Sequence, residues 1–396
     1  MVGRFALTIY IAQYLSLTDL GLFGLIVGVA GMMPSISGMG LNYFLARELV
    51  DKDDYAAGVL IKDRLVVTVS MMAAISVVAL ATIGSMFPVY LGVAVLVVPI
   101  VFTETVAFDL HLCFISLRRP ILANSLLFVR SAAWVFPLIG LGLVHAASRT
   151  LTVVLSFWLA GNVLFFLAVV VAFRNWPIDQ ILQARINWAD AKATVRRARL
   201  IYLNDIGFAG MVYLDRYIVS HFLGLKQTGV YTLYWSFSNA IQVLVTSAVV
   251  QVSVPRLVSI VRSGVGSWGA AIRKEIAKSV SLAIVLGVLA FLIGVHVLPL
   301  VGFSKLTIAP PLFALMLSGV VVKIAADMLN SGLYARGMDN QLAVINSLGL
   351  VVAIVSSVIC LTTFGLLGAG VSMIITPTCL AAARGLALHR VGAFRT

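Results

Sequence analysis

Residues 65–87 read LVVTVSMMAAISVVALATIGSMF, a run from Leu65 to Phe87 without a single charge. Crossing about 30 Å of hydrocarbon takes about 20 residues of helix, so this run by itself predicts a membrane span. Outward from it, runs of the same kind, bounded by charge or by Pro/Gly clusters, bring the expected total to twelve. On the N-terminal side lie Arg4 to Leu17 and Leu20 to Ala46. On the C-terminal side come Tyr90 to Leu117, Ile121 to Val144, Thr150 to Phe173, Leu200 to Phe222 and Thr228 to Val254. Ser279 to Val301, Pro310 to Tyr334, Leu342 to Phe364 and Gly368 to Leu388 complete the set. The expected fold class is therefore all-α, a polytopic membrane protein of twelve transmembrane helices.

Composition leads to the same class. Of 396 residues 61% are apolar and 11% charged, with a mean hydropathy of +1.07. A soluble domain is about 45–50% apolar and about 25% charged, which excludes one here. The net charge of +13 would suggest nucleic acid on a soluble protein. Here the basic residues fall in short segments between apolar runs, so they report topology, and no nucleic-acid partner is read. Cys113, Cys360 and Cys379 lie inside apolar stretches without paired spacing, which indicates neither disulfides nor a zinc site. The first apolar stretch runs into Thr18-Asp19 without a small-residue cleavage site.

With the N-terminus placed in the cytoplasm, the inside loops and the C-terminal tail hold 21 of the 28 basic residues. Among them are Arg47, Arg118-Arg119, Arg174 to Arg199, Arg256 to Lys278, Arg336, and Arg384 to Arg395. The outside loops hold only Arg149, Lys226 and Lys305. That asymmetry predicts both termini inside. The longest inside loop, 174–199, carries Trp176-Pro177 and Asn187-Trp188 ahead of Lys192, Arg196 and Arg197. It reads as an amphipathic linker that anchors to anionic membrane lipid. It divides the chain into an N-terminal six-helix bundle, 1–173, and a C-terminal one, 200–396.

The two bundles repeat each other. Tyr10-Ile11 recurs as Tyr217-Ile218, and Leu17, Gly21, Phe23, Leu49 and Val50 match Leu225, Gly229, Tyr231, Leu257 and Val258 at an offset of 208. Asp109 and Arg118 match Asp327 and Arg336, and Asn124-Ser125-Leu126 matches Asn346-Ser347-Leu348. Six is even, so the halves share orientation and are expected to be related by an axis along the membrane normal, a transporter architecture with a cavity that alternates its opening. The seventh span projects back onto a first span that begins several residues before Met1. The sequence thus leads us to expect an upstream start or a truncated chain, with Arg4 at mid-membrane.

Several segments together resemble a known family. Gly3-Arg4-Phe5, Ala12-Gln13-Tyr14-Leu15, Gly21-Leu22-Phe23, Gly38-Met39-Gly40-Leu41 and Arg47-Glu48 resemble the opening of the polysaccharide-transporter family. Asp215-Arg216-Tyr217-Ile218, Leu223-Gly224, Thr228-Gly229-Val230-Tyr231 and Pro255-Arg256 resemble its seventh and eighth helices. That family, which includes Wzx-type O-antigen flippases, lies in the multidrug/oligosaccharidyl-lipid/polysaccharide flippase superfamily. The chain departs from it in lacking the first half-helix with its basic flank, and the proline usual near Leu200-Ile201-Tyr202. The resemblance implies a flippase of the bacterial inner membrane that moves an undecaprenyl-pyrophosphate-linked oligosaccharide to the periplasmic leaflet by alternating access, without a cofactor and not as an enzyme. It also points to polysaccharide polymerase and chain-length proteins as partners.

A sugar chain and a pyrophosphate cannot cross hydrocarbon unaided, so the residues of interest are polar groups inside the spans. Arg130 and Lys323 lie near the midplane, Arg216 nearer the periplasmic end of its span, and Arg4 in the first. Three unpaired mid-membrane cations would cost about 8–10 kcal/mol at about 2.5–3.5 each, against a domain stability of about 5–15 kcal/mol. They must face water or be paired. Facing water, they line a lumen that attracts diphosphate. Paired, Arg216 has Asp215 beside it, Lys323 has Asp327 one turn on, and Arg130 has Glu104 at similar depth. Glu104, His111 and Arg118 form one stripe of the fourth span. Asp109 and Asp327, equivalent in the repeat, are candidates to hold a coupling ion or to bind the halves together. Asn204 and Asp205 share a stripe with Asp215 and Arg216, eleven residues being close to three turns. The stripe is the best lumen-facing candidate, with Asn204 its substrate-binding member and Asp205 an ion-coupling or ion-pair one.

Other signals carry no chemistry. The GxGxxG pattern from Gly264 to Gly269 sits in a short loop with no strand before it, no Walker A motif is present, and the histidines show no metal-ligand spacing. Gly21, Gly24, Gly28 and Gly31 make a packing face. Two other functions fit the same span pattern. A cation-coupled drug or metabolite antiporter of the same superfamily would have a lumen dominated by carboxylates. A membrane polymerase or ligase of the same pathway would need an ordered catalytic domain outside, and the outside loops are only turn-length. The topology predicts that single cysteines at Lys226 and Lys305 label from outside and those at Arg197 and Arg262 only from inside; one clear reversal overturns it.

Overall fold

The computed structural model describes residues 2–86, 91–263 and 268–390. They are helices joined by short turns, with no strand among the described residues. In order the helices are α1 (Val2–Tyr14), α2 (Leu17–Gly38), α3 (Leu41–Glu48), α4 (Asp54–Met86) and α5 (Leu91–Ser116). Next come α6 (Pro120–Phe128), α7 (Val135–Val144), α8 (Leu151–Phe173), α9 (Ile178–Gln183), α10 (Trp188–Tyr213) and α11 (Asp215–Val245). Last are α12 (Gln251–Ser263), α13 (Trp268–Leu292), α14 (Pro310–Ala335), α15 (Asp339–Phe364) and α16 (Leu366–Arg390). The ends of the expected third and fourth spans at Phe87 and Tyr90, and 264–267 of the GxGxxG pattern, lie outside the described residues.

Ten helical runs among the described residues are long and apolar enough to cross a membrane. One of them, Lys192–Arg262, holds the seventh and eighth expected spans in 71 residues. It breaks at Gly224, whose φ of 80° and ψ of 172° lie in a region essentially reserved for glycine. With α1, too short to count by length, the expected twelve are accounted for. The apolar exteriors of these helices, Val77, Val78 and Ile121 among them, are exposed, as a lipid-facing surface requires. This is a multi-pass membrane protein.

Local signals place the helix ends. Ser16 and Asp19 form a capping box at the start of α2: Asp19 N donates to Ser16 Oγ at 3.0 Å and Ser16 N to Asp19 Oδ2 at 3.1 Å. Pro120 opens α6, where a missing N–H costs nothing. Thr150 caps α8 by accepting from Val153 N. The 174–199 segment is two pieces, the short α9 and the first turns of α10, which has no breaker between Trp188 and Tyr213 and so runs unbroken.

Contacts divide the chain into two compact units, Met1–Tyr10 with Ile26–Ile206, and Ile11–Leu25 with Gly207–Thr396. The core of the first gathers Phe114, Leu126, Phe165 and Trp176. That of the second gathers Leu257, Ile272, Met328 and Leu388 at one end. Within the second unit the start of α2 crosses α11 at main-chain contact. A Cβ on Gly21 would overlap the Leu225 carbonyl, one on Gly229 would overlap the Leu17 carbonyl, and one on Gly24 would strike Thr232. Leu17 and Leu225, Gly21 and Gly229, and Gly24 and Thr232 are all 208 residues apart. Gly21 thus meets the equivalent of Leu17, Gly229 meets Leu17 itself, and Gly24 meets its own equivalent, the reciprocity that a two-fold relation between duplicated segments produces. The same segment is tied by Lys305 Nζ, which donates to Ala12 O and to Leu15 O, and by Gln13 Nε2 to Gly302 O at 3.1 Å.

Gly21→Ala and Gly229→Ala are expected to destabilise the purified protein by about 1–3 kcal/mol through overpacking, read as a lower midpoint of thermal unfolding. Gly287→Ala, in α13 with nothing within 4 Å of the added atom, is the control. It is expected to be neutral or to gain up to about 1 kcal/mol of helix propensity.

Candidate functional site

Membrane helices hold few charges, and the fold collects those in the two units into distinct clusters. In the first unit the centre is Glu104 on α5, buried at the level of the α6–α7 junction. That junction is a π-helical turn, Val129–Ala133, a form that recurs at functional sites because it re-aims a side chain within a helix. Here Arg130 Nη1 donates to Glu104 O at 3.2 Å and Nε lies 3.7 Å from Glu104 Oε2. The loosened turn is stitched by Trp134, whose Nε1 donates to Arg130 O at 2.8 Å. Trp158 Nε1 donates to Glu104 Oε1 at 2.7 Å. Arg4 Nη2 reaches Oε2 at 3.3 Å, and its guanidinium lies 5.5 Å over the Trp158 ring.

Two guanidiniums thus share one carboxylate. The side chains of Arg130 and Glu104 are 7% and 6% exposed, that of Arg4 38%. The inner pair is closed off, and Arg4 carries the surplus positive charge to an open side. Arginine offers several donors in a planar fork, so a phosphate or carboxylate can meet Arg4 while Glu104 keeps Arg130.

Asp109, one helical stretch further along α5, is saturated. It accepts from Asn42 Nδ2 at 2.8 Å and from Thr68 Oγ1 at 2.6 Å, and pairs with Arg64 Nη2 at 3.0 Å. Arg64 Nε in turn donates to Asn42 Oδ1 at 2.9 Å. Arg64 and Asp109 are both buried. The Glu104–His111–Arg118 stripe does not form one site. His111 Nδ1 lies 3.2 Å from Ala123 O, and Arg118, in a left-handed turn, pairs at the surface with Asp51. Asn204 and Asp205, joined at 3.4 Å, lie on the part of α10 that belongs to the first unit, whereas Asp215 and Arg216 belong to the second.

The second unit holds a cavity of about 810 Å³ among α10, α11, α14, α15 and α16, whose charged lining is Asp215, Lys323, Asp327 and Arg384. Asp215 opens α11 and accepts from Tyr231 OH, while Arg216 Nε stands 3.7 Å away. Arg216 is buried behind it. Its Nη1 donates to Gly24 O at 3.2 Å and Nη2 to Val212 O at 3.4 Å, with the guanidinium 4.3 Å over Trp235. Lys323 is not directly bonded to Asp327. Gln242 bridges them, accepting from Lys323 Nζ at 3.0 Å and donating to Asp327 Oδ2 at 3.1 Å. Arg384 Nη1 donates to Ala326 O at 2.8 Å and lies 3.7 Å from Asp327 Oδ1, while Nη2 donates to Asn346 Oδ1 at 2.7 Å. The lining carries two cations and two carboxylates, with the Arg216 guanidinium behind Asp215 as a third cation, and one ammonium N–H of Lys323 is engaged by Gln242.

The structure therefore brings Arg4, Arg130 and Glu104 together, and separately Asp215, Lys323 and Asp327. Arg130 and Arg216 are both in ion pairs, the alternative left open by the sequence. Arg384 is a correction: counted with the basic tail, it is a buried residue of α16, and the basic excess on that side survives its removal. Sequence reasoning missed Gln242, Tyr231 and Arg384. An amide inside an apolar span was the available signal for Gln242, and a position four residues before Leu388 was that for Arg384.

No family model matches this chain, and no curated protein matches it. Solved structures do. The chain is similar to an inward-facing multidrug resistance MATE family transporter of the MOP superfamily, with a TM-score of 0.75 and 12% identity over 100% of this chain and 95% of that one. It is similar to the lipid II flippase MurJ in an inward closed conformation, with a TM-score of 0.75 and 10% identity over 99% of this chain and 87% of that one. A MATE mutant crystal structure aligns at 0.59 and 13% identity over 99% and 92% of the two chains. The chain has the all-helical MATE/MurJ-like transporter fold, and these neighbours are transporters and a flippase, not enzymes.

Glu104→Gln is expected to cost about 3–5 kcal/mol, because it strands the buried Arg130 charge. Arg4→Gln leaves Glu104 with Arg130 and Trp158 and is expected to keep normal membrane abundance. Thermal unfolding and quantitative immunoblots of membranes check both.

Proposed function

We propose that the chain is a flippase that moves a lipid-linked oligosaccharide, a polyprenyl chain joined by diphosphate to sugars, across the bacterial inner membrane by alternating access. One observation supports it most: the surplus guanidinium of Arg4 beside the Arg130–Glu104 pair. A uniform cost attends each charge in hydrocarbon, so an extra cation held partly open inside a membrane unit calls for an anion. A diphosphate supplies one, and the likeness to a lipid II flippase is consistent with it. Lys323, with ammonium N–H groups free to turn into the second-unit cavity, is the second candidate cation. Arg130 and Arg216 act by holding carboxylates and carbonyls in place. In this scheme the moving parts are the six-helix bundles 1–173 and 200–396, save that Ile11–Leu25 go with the second, and both termini are cytoplasmic.

A second reading has its own observation. Asp215 and Asp327 line a cavity that also presents Trp235, and an aromatic face beside carboxylates suits an amphipathic cation. That is the chemistry of a cation-coupled drug antiporter, and the multidrug MATE likeness is consistent with it.

Proteoliposomes separate the two. With a fluorescent polyprenyl-diphosphate oligosaccharide, the first reading expects transfer between leaflets that Arg4→Gln abolishes and Arg4→Lys partly keeps, since charge is the point. With ethidium and a proton or sodium gradient, the second expects accumulation that Asp327→Asn abolishes. Ethidium transport without oligosaccharide transfer overturns the flippase reading.

A further inference from the structure

We propose that a groove on the first unit, between α4, α5 and α8 and closed at one end by α9, holds one chain of an anionic membrane phospholipid whose headgroup rests on Arg174 and Arg185. The groove has a volume of about 1050 Å³, and apart from Lys62 and Ser70 its lining is aliphatic or aromatic with one glycine. Lys62 is already engaged: its Nζ donates to Ala184 O at 2.5 Å and lies 3.3 Å from Asp63 Oδ1. Water would find almost no partner there. Hydrocarbon fits.

The cap is built into the unit. A Cβ on Gly58 would overlap Ile181 of α9, so α9 sits against the backbone of α4. Trp176 packs edge-on against Phe173 at 4.6 Å, and the Arg119 guanidinium lies 5.7 Å over the Trp176 ring. Asn187 N donates to Asp63 Oδ2 at 3.4 Å. The mouth opens sideways, where Val69, Ile178 and Leu182 are exposed at 39%, 41% and 66%. In a membrane-spanning unit that opening faces acyl chains.

Charge at the rim selects the lipid. Arg174 directly follows Phe173 and Arg185 follows the end of α9. Both are exposed, and neither forms an ion pair among the described residues. Of the carboxylates on neighbouring segments, Asp63 is paired with Lys62 and Asp54 with Arg119, and Asp179 lies on α9 itself. The Lys/Arg excess puts this end at the cytoplasmic leaflet, where anionic headgroups attract basic segments. The site lies wholly in the first unit and uses neither Arg4 nor Lys323, so it stands apart from the flippase reading.

Native mass spectrometry of the full chain, purified and given equimolar phosphatidylglycerol and phosphatidylethanolamine, tests it. The expected result is one phosphatidylglycerol kept per chain, about tenfold over phosphatidylethanolamine. Val69→Trp and Val66→Phe fill the groove and are expected to reduce that retention about tenfold. The double variant Arg174→Gln/Arg185→Gln, confined to exposed side chains, is expected to keep a lipid but lose the preference. Equal retention of the two lipids by the wild type overturns the proposal, as does unchanged preference in the double variant. Undiminished retention in groove-filled variants that unfold normally overturns it too. Displacement of phosphatidylglycerol by polyprenyl phosphate, mole for mole, would assign the groove to a transported isoprenoid instead.

Discussion

The approach of α2 to α11 at main-chain distance sets the second unit. Inside a bilayer there is no hydrophobic drive between helices, so close packing and hydrogen bonds must hold them. Glycines at 21, 24 and 229 permit that approach. What they admit is polar: once the backbones are close, Arg216 reaches Gly24 O and Tyr217 OH reaches Leu25 O at 2.6 Å. Asp215, next in sequence, is thereby fixed on the cavity wall. A side chain at any of these glycines would push apart the crossing and the charge network behind it.

Charge is handled differently in the two units. In the second, Asp215 has Arg216 beside it and Asp327 has Arg384, while Lys323 is held through the Gln242 amide and has no carboxylate of its own. In the first, Glu104 serves two arginines, and the remainder is positive. The saturated Asp109 network shows what a purely structural arrangement looks like in the same helix: every oxygen of the acid has a partner, and the site is closed. Glu104 has as many partners, but one of them, Arg4, is partly open. That difference between two acids five residues apart on α5 separates a packing device from a candidate binding site.

The spans were legible because length and hydropathy are one-dimensional properties, and the duplicated segments because the offset of 208 survives in Leu17, Gly21 and their equivalents. Pairing of Glu104 with Arg130 was legible from depth alone. What depth cannot give is azimuth. The π-helical turn at Val129–Ala133 adds a residue and rotates Arg130 in a way that no 3.6-residue count anticipates. The Glu104–His111–Arg118 stripe failed because α5 ends at Ser116 and Arg118 lies beyond it in a turn. Arg384 was assigned to the tail because a charge near the end of an apolar run looks like its boundary. Its burial depends on Asn346 and Ala326, residues about forty to sixty positions away in sequence.

Residues Ile11–Leu25 are compact with the second unit although the rest of that unit, from Gly207, follows them by about 180 residues. Their partner glycine follows Gly21 by 208 residues. At about 5–20 residues per second of translation, the face bearing Gly21 and Gly24 waits roughly 10–40 s for α11 to emerge. During that interval the early helix has its own first-unit neighbours from Ile26 onward but no companion for its opening turns. The polypeptide therefore cannot finish as two modules assembled in order. The opening turns of α2 are the last part of the N-terminal half to settle, and completion of the second unit is what secures them.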